Sequence, residues 1–257
     1  MKDLTVPCKK WSDRLTHDQE TQRRRHRHLI ETSIAAIAPW IGLAALYPDT
    51  APRVFSRIGI LWLALGIAYT HAFEYAYHRW VMHRGVKFLR GIQRKHLDHH
   101  RLFHGDHFTT RDPSALAKIT GQWFLFPTAL LLHYGMLRPL LAPPEVLSFL
   151  AGVVLHYVTF EVTHYFAHVI ESGFDRLVRH LPVLRSIRDL QLAHHRRHHE
   201  TPDVDFNFNP PFAVDVALKT FCVGRLWIRR CGRCRDRSLQ VSGSGESRKG
   251  SFVANTT

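Results

Sequence analysis

Cysteine is scarce in this 257-residue chain: Cys8, Cys222, Cys231 and Cys234 are the whole set. So few, so clustered, exclude a disulfide framework and point to a reducing compartment. Acid is scarce beside base, with 21 Asp and Glu against 35 Lys and Arg and a formal net charge of +14. That excess flanks apolar stretches, which points to the anionic face of a membrane and away from nucleic acid. No apolar segment begins near Met1, so a cleavable signal peptide is not expected. No repeat of solenoid period occurs.

Histidine is what the chain has in quantity, 20 residues of it. The densest stretch, Ala193–Glu200, reads A-H-H-R-R-H-H-E. His195, His198 and His199 stand at i, i+3 and i+4, one face of a helix. His96, His99 and His100 repeat that spacing, and His78 with His83 and His164 with His168 complete the set. Solvated helix faces are normally Lys, Glu and Arg, whereas neutral imidazole is the commonest protein ligand for transition metals.

Four apolar stretches carry these clusters: Leu29–Tyr47, Ile58–Tyr77, Ile119–Leu137 and Val146–Tyr165. Each is near the ~20 residues a helix needs to cross ~30 Å of hydrocarbon. They pair into two hairpins, the first turning through P-D-T-A-P and the second through Pro139, Pro143 and Pro144. The two turns carry only Arg53, Arg57 and Arg138 as basic residues, while the N-terminus, 79–118 and 175–235 are rich in Lys and Arg. The positive-inside rule then places those three segments and both termini in the cytosol. The second and fourth stretches deliver His78 and His164 to that same face, where all four clusters meet. The chain repeats itself weakly: a hairpin, a histidine pair, then H-x-x-H-H, twice over.

Ten imidazoles exceed the four to six ligands of one ion and so imply two. An all-nitrogen set suits iron, zinc, copper or nickel and disfavours calcium and magnesium. His164 and His168, four apart, can share an ion; His78 and His83, five apart, are splayed by roughly 140° on a straight helix and need a helix end or a distortion. Glu74, Asp98, Glu161 and Glu200 are candidate acceptors for the ring N–H groups of the ligands. His104, His107 and His194 lie close enough to the clusters to be weighed as further ligands. His17, His26, His28, His71, His133, His156 and His180 are read as ordinary core or surface residues. Cys231-x-x-Cys234 is half a zinc site without a second half, and its placement is read as incidental. Phe206–Phe212 (F-N-F-N-P-P-F) is read as a loop packing on the histidine-bearing part, with a cover over the mouth of the site as the alternative.

At the four clusters, H78-R-W-V-M-H83, H96-L-D-H99-H100, H164-Y-F-A-H168 and H195-R-R-H198-H199, the chain resembles the membrane fatty acid hydroxylase and sterol desaturase superfamily, in the order and spacing of about Glu74–Phe221. The fatty acid and sphingolipid hydroxylases match best, including the aromatic setting T163-H164-Y165-F166. The resemblance implies an all-α integral membrane fold, with four transmembrane helices in two hairpins beneath a cytosolic helical cap. It also implies a dimetal centre that activates O₂. The expected arrangement is a polar basic segment (1–28), a membrane domain (29–235) and a disordered tail (236–257).

On this reading the chain is an O₂-dependent lipid hydroxylase. Two iron ions are held by His78, His83, His96, His99, His100, His164, His168, His195, His198 and His199, with zinc the substitute in a purified sample. No heme domain fits into 1–28, so electrons are expected from a separate cytochrome b5- or ferredoxin-type protein. Carotenoid or sterol hydroxylation or desaturation is the alternative within the superfamily, and metal transport the alternative outside it. A bacterial inner membrane is the expected location, with the endoplasmic reticulum second.

Overall fold

The computed structural model describes residues 9–222 except 55, 117, 121–122 and 170–171, and for 9–25, 51–52 and 113 the backbone alone. Cys231, Cys234 and the expected tail lie outside the described residues. Among those described there is no strand, only one isolated bridge between Thr110 and Val169. The α-helices longer than about one turn are α1 (Lys9–Ala45), α2 (Arg57–Ala76), α3 (Arg90–Leu102), α4 (Leu125–Leu137), α5 (Pro143–Ala167), α6 (Gly173–Arg179), α7 (Pro182–Glu200) and α8 (Ala213–Ala217), with the longest connection between α3 and α4.

Local chemistry sets the helix ends. Ser56 caps α2, its hydroxyl accepting the Gly59 N–H at 3.1 Å. Pro143 and Pro144 open α5, where a missing N–H costs nothing, and the Glu145 carboxylate accepts the Ala142 N–H. Pro182 opens α7 in the same way. After Ala76 the helix continues as a π-helix over Tyr77–Arg84 and stops at Gly85, whose φ of 79° suits glycine.

Two helical segments, His26–Ala45 and Pro143–Ala167, are long and apolar enough to cross a membrane. The other two expected spans do not meet that measure of length and hydropathy, for visible reasons. The third is helical only over Leu125–Leu137, 13 residues, or ~20 Å of rise. The second has the length, 20 residues in α2, but carries His71 and Glu74 in its last two turns. Helix α1 runs unbroken from Lys9 through the basic stretch into the apolar one.

Helices α2 and α5 form the closest pair. A Cβ on Gly66 would lie 2.1 Å from the Phe149 carbonyl oxygen, and one on Gly152 2.1 Å from that of Leu63. Only glycine permits that approach. Helix α1 joins through the Trp40 indole, which donates to the Leu147 carbonyl at 2.9 Å, and Tyr47 meets Tyr134 of α4 hydroxyl to hydroxyl at 2.7 Å. Leu43, Leu130, Val146, Leu147, Leu150 and Val153 fill the core between them. The outward faces remain apolar, exposing Ile30, Ile34, Ile41, Leu61, Leu132 and Leu155. Cys222 is disulfide-bonded, against the expectation of a reduced set.

Candidate metal centre

The structure brings all ten clustered histidines together at one end of α2 and α5, in two groups of five. The first is His78, His83, His96, His100 and His198; the second is His99, His164, His168, His195 and His199. Within each group one ring nitrogen per residue lies within 4.8 Å of all the others.

The division follows helix geometry. His96 and His100 are four apart and ~40° from each other around the helix axis, so they stay in one group. His99, ~60° to the other side of His96, crosses to the second group. Helix α7 repeats the pattern: His195 and His199 stay together while His198 crosses to the first. Each half therefore supplies a pair, a second pair, and one histidine to its neighbour. The groups touch where His100 and His199 stack, ring centroids 4.2 Å apart at 21°.

His78 and His83 meet because the segment between them is a π-helix. Its i→i+5 bonding brings residues five apart onto one side, which an α-helix does not do. Helix α7 is held over α5 by Arg188, 2 % exposed, which donates to Asp175 at 2.7 Å, to the Thr163 carbonyl at 3.0 Å and to Gln191 at 2.6 Å.

The ring nitrogens are arranged for cations. His78 Nδ1 lies 2.6 Å from the Phe206 carbonyl oxygen and His198 Nδ1 2.7 Å from that of Val204. In the second group His168 Nδ1 lies 2.7 Å from the Phe108 carbonyl. A carbonyl only accepts, so these three Nδ1 atoms carry the proton and the three Nε2 atoms present bare lone pairs. His83 Nε2 nevertheless sits 3.3 Å from His78 Nε2 and 3.0 Å from His198 Nε2, and it has one proton at most to offer. His96 Nε2 is 3.0 Å from each of His78, His83 and His100. In the second group His195 Nε2 is 2.9 Å from His168 and 3.1 Å from His199, and both ring nitrogens of buried His99 lack a hydrogen-bond partner. Hydrogen bonds cannot satisfy this many converging nitrogens. A metal can: at ~2.1 Å from each nitrogen, ligands 90° apart are ~3.0 Å from one another and tetrahedral ligands ~3.4 Å. The residues fit metal ions, and these buried groups can bind them.

Protonation does not compete at neutral pH. Burial, reinforced by neighbouring imidazoles, pushes His83 down to about 2 and His100 to about 3. Burial holds His168 at about 3 against the opposing Phe108 carbonyl, and His96, His99, His195, His198 and His199 lie well below their usual range for the same first cause. Neutral imidazole with a free lone pair is the ligating form.

The remaining residues weighed from sequence fall elsewhere. His104 and His107 are exposed and belong to neither group. His194 is fully buried but turned away, stacking on Phe212 at 4.1 Å with its Nε2 3.3 Å from Asp205. The carboxylates do not take the role expected of them. Asp98 pairs with Arg101 and Glu200 with Arg196 at the surface, Glu161 accepts the Tyr157 hydroxyl, and Glu74 pairs with His156. Backbone carbonyls orient the rings instead. The segment supplying two of them is held by Asp215, which accepts the Phe206 N–H at 2.9 Å and the Asn207 N–H at 2.5 Å. From it the Phe206 ring packs on His78, His83 and His198, and the Phe208 ring on His164 and His195. The Phe206–Phe212 stretch is thus a wall packed against the centre. Sequence reading missed Asp205 and Asp215, and it set aside His71 and His156, which meet Glu74 between α2 and α5. Their one sequence signal is an ionisable residue inside an apolar run. His17 lies outside the residues whose side chains are described.

No family model matches the chain, and no curated protein or solved structure matches it either.

Proposed function

We propose that this chain is an integral membrane lipid hydroxylase that uses O₂ at a histidine-held di-iron centre. The observation that carries the reading is the convergence of ten neutral imidazoles as two adjacent five-nitrogen groups. Two like centres side by side suit redox chemistry shared between them, whereas a structural ion needs only four ligands. The order and spacing of the four clusters, which resemble the fatty acid hydroxylase and sterol desaturase superfamily, support it.

In this proposal α1, α2, α4 and α5 span the bilayer, and the ten histidines lie at its cytosolic face. Supporting this are the large apolar side chains these helices leave exposed, which water would disfavour. The apolar substrate, a fatty acyl or sphingolipid-type chain, enters from the bilayer. Bound iron supplies the redox chemistry that an unactivated C–H bond requires and that side chains lack. The balanced reaction is RH + O₂ + 2 e⁻ + 2 H⁺ → ROH + H₂O, with the electrons from a separate cytochrome b5- or ferredoxin-type donor. Phe206 and Phe208 exclude water from the ring nitrogens, and the Phe206, Val204 and Phe108 carbonyls fix which nitrogen of each ring faces the metal.

The test is mass spectrometry of whole-cell lipids from an aerobic host expressing wild type or His195→Ala, with an electron donor supplied. A lipid class that gains one oxygen with wild type alone supports the proposal. Loss of two hydrogens assigns desaturation instead, and an unchanged lipidome with both proteins inserted contradicts the enzyme reading. One observation favours metal transport as a second reading: His71, Glu74 and His156 gather deep between α2 and α5, where a path would run. Metal uptake by cells lacking any lipid change would select it.

A further inference from the structure

The gathering of His71, Glu74 and His156 is separate from the ten histidines and calls for its own explanation. His71 and Glu74 stand three apart on α2 and His156 faces them from α5, one ligand atom of each lying within 4.8 Å of the others. Counting residues at 1.5 Å of rise, His71 is ~10 Å below His78 and His156 ~12 Å below His164. The Gly66–Gly152 approach of the two helices brings these positions together.

Part of the cluster is satisfied by hydrogen bonds. Glu74 Oε2 lies 2.7 Å from His156 Nε2, and Glu74 Oε1 accepts the Phe208 N–H. A Glu–His pair anchoring the Phe206–Phe208 segment would account for these two residues. It leaves His71 unaccounted for. That imidazole is 7 % exposed, its Nε2 is buried without a hydrogen-bond partner, and its ring centroid is 5.7 Å from that of His156 at 81°. A buried ring nitrogen without a partner has given up its hydrogen bond to water and gained none, so its retention beside a carboxylate and a second imidazole needs a compensating ligand.

We propose that His71, Glu74 and His156 form a third metal site, for one divalent transition ion such as zinc or iron(II), between α2 and α5 beneath the ten-histidine centre. Two imidazoles and one carboxylate are a donor set that both ions accept with open positions left over. Binding displaces the proton that His156 Nε2 shares with Glu74, and the carboxylate offsets one of the two charges brought in. The ion ties α2 to α5 and, through Glu74 Oε1, to the segment that walls the histidine centre.

The test counts ions. Full-length chain in detergent is stripped with a chelator, reloaded with zinc alone, desalted and measured by elemental mass spectrometry. Glu74→Gln keeps the side-chain shape and an acceptor for the Phe208 N–H, and His71→Ala removes the ring without a partner. The expected result is one ion fewer per chain in each variant than in wild type, three falling to two. If the ten histidines bind nothing, wild type holds one ion and the variants none, so this inference and the centre above fail separately. Equal counts in wild type and in whichever variant elutes as the wild type does would overturn the third site.

Discussion

The two five-histidine groups are built to one recipe and set in different surroundings. Each takes a pair five or four residues apart from the end of a long helix, an i, i+4 pair from a shorter one, and a single histidine from the opposite half. The second group is buried throughout, whereas His83 and His96 leave the first half-buried. The first is held by two carbonyls from the 204–209 segment and the second by the Phe108 carbonyl from a loop following α3. A duplicated pattern thus gives one enclosed group and one more open to solvent. Crossed histidines make each group depend on both halves of the chain.

The comparison breaks most completely at those crossed residues. His99→Ala and His198→Ala each remove a ligand from the group opposite their nearest sequence partners, and each is expected to abolish product. The loss exceeds the roughly 10–100-fold that removal of an outer hydrogen-bond partner costs; metal content and lipid product measured together check it. Gly152→Ala acts next, by forcing α2 and α5 apart and with them the pairs His78/His83 and His164/His168. The clash is with backbone, so a destabilisation of about 1–3 kcal/mol or more is expected, read as a lower Tm.

Asp215→Ala sharpens the difference between the groups. It releases the Phe206 and Asn207 N–H groups and so the carbonyl that orients His78, and should weaken the first group about 10–100-fold while sparing the second. Zinc titration of the stripped protein would resolve the two affinities. Timed chelation of the loaded protein should remove one ion ahead of the other, and His83→Ala should eliminate the fast phase, because the half-buried group exchanges first.

The smallest effect is on pH dependence. Burial raises Asp205 to about 7 and Asp215 to about 6, from the 3.8 usual for an exposed aspartate. Between the two values the folded chain holds more protons than the unfolded one, so this contribution to stability is greatest below pH 4 and is lost as pH rises toward 7. Asp205→Asn removes the Asp205 part of the dependence and leaves that of Asp215, and asparagine suits the φ of 57° at this position. The variant should gain Tm over wild type at pH 8, by about 2–4 °C per kcal/mol recovered, and lose that advantage at pH 4.

Much of the centre was legible in sequence because helical spacing is local. Six histidines at the 96–100 and 195–199 positions could be placed on helix faces without a structure, and the misfit of His78 with His83 flagged the distortion that Tyr77–Arg84 supplies as a π-helix. Which group each pair joins was not legible, since a residue's own helix turns His99 away from His96 and His100, and His198 away from His195 and His199, but the packing of the other helices decides what they meet. The carbonyls of Phe206, Val204 and Phe108 were invisible because every residue has one. His71 and His156 each look like a solitary polar residue in an apolar run, and 85 positions separate them; only the packing of Gly66 against Gly152 brings them together. The extent of the fourth helix was readable from composition, whereas the third helix covers Leu125–Leu137 of the expected stretch.

The most direct test of the ten-histidine assignment is an anomalous-difference map from crystals of the full chain loaded with iron or zinc. The expected result is one peak inside each group, each ~2.0–2.2 Å from the Nε2 atoms around it. A single peak shared by the ten, or histidines swung apart with no peak between them, would contradict it.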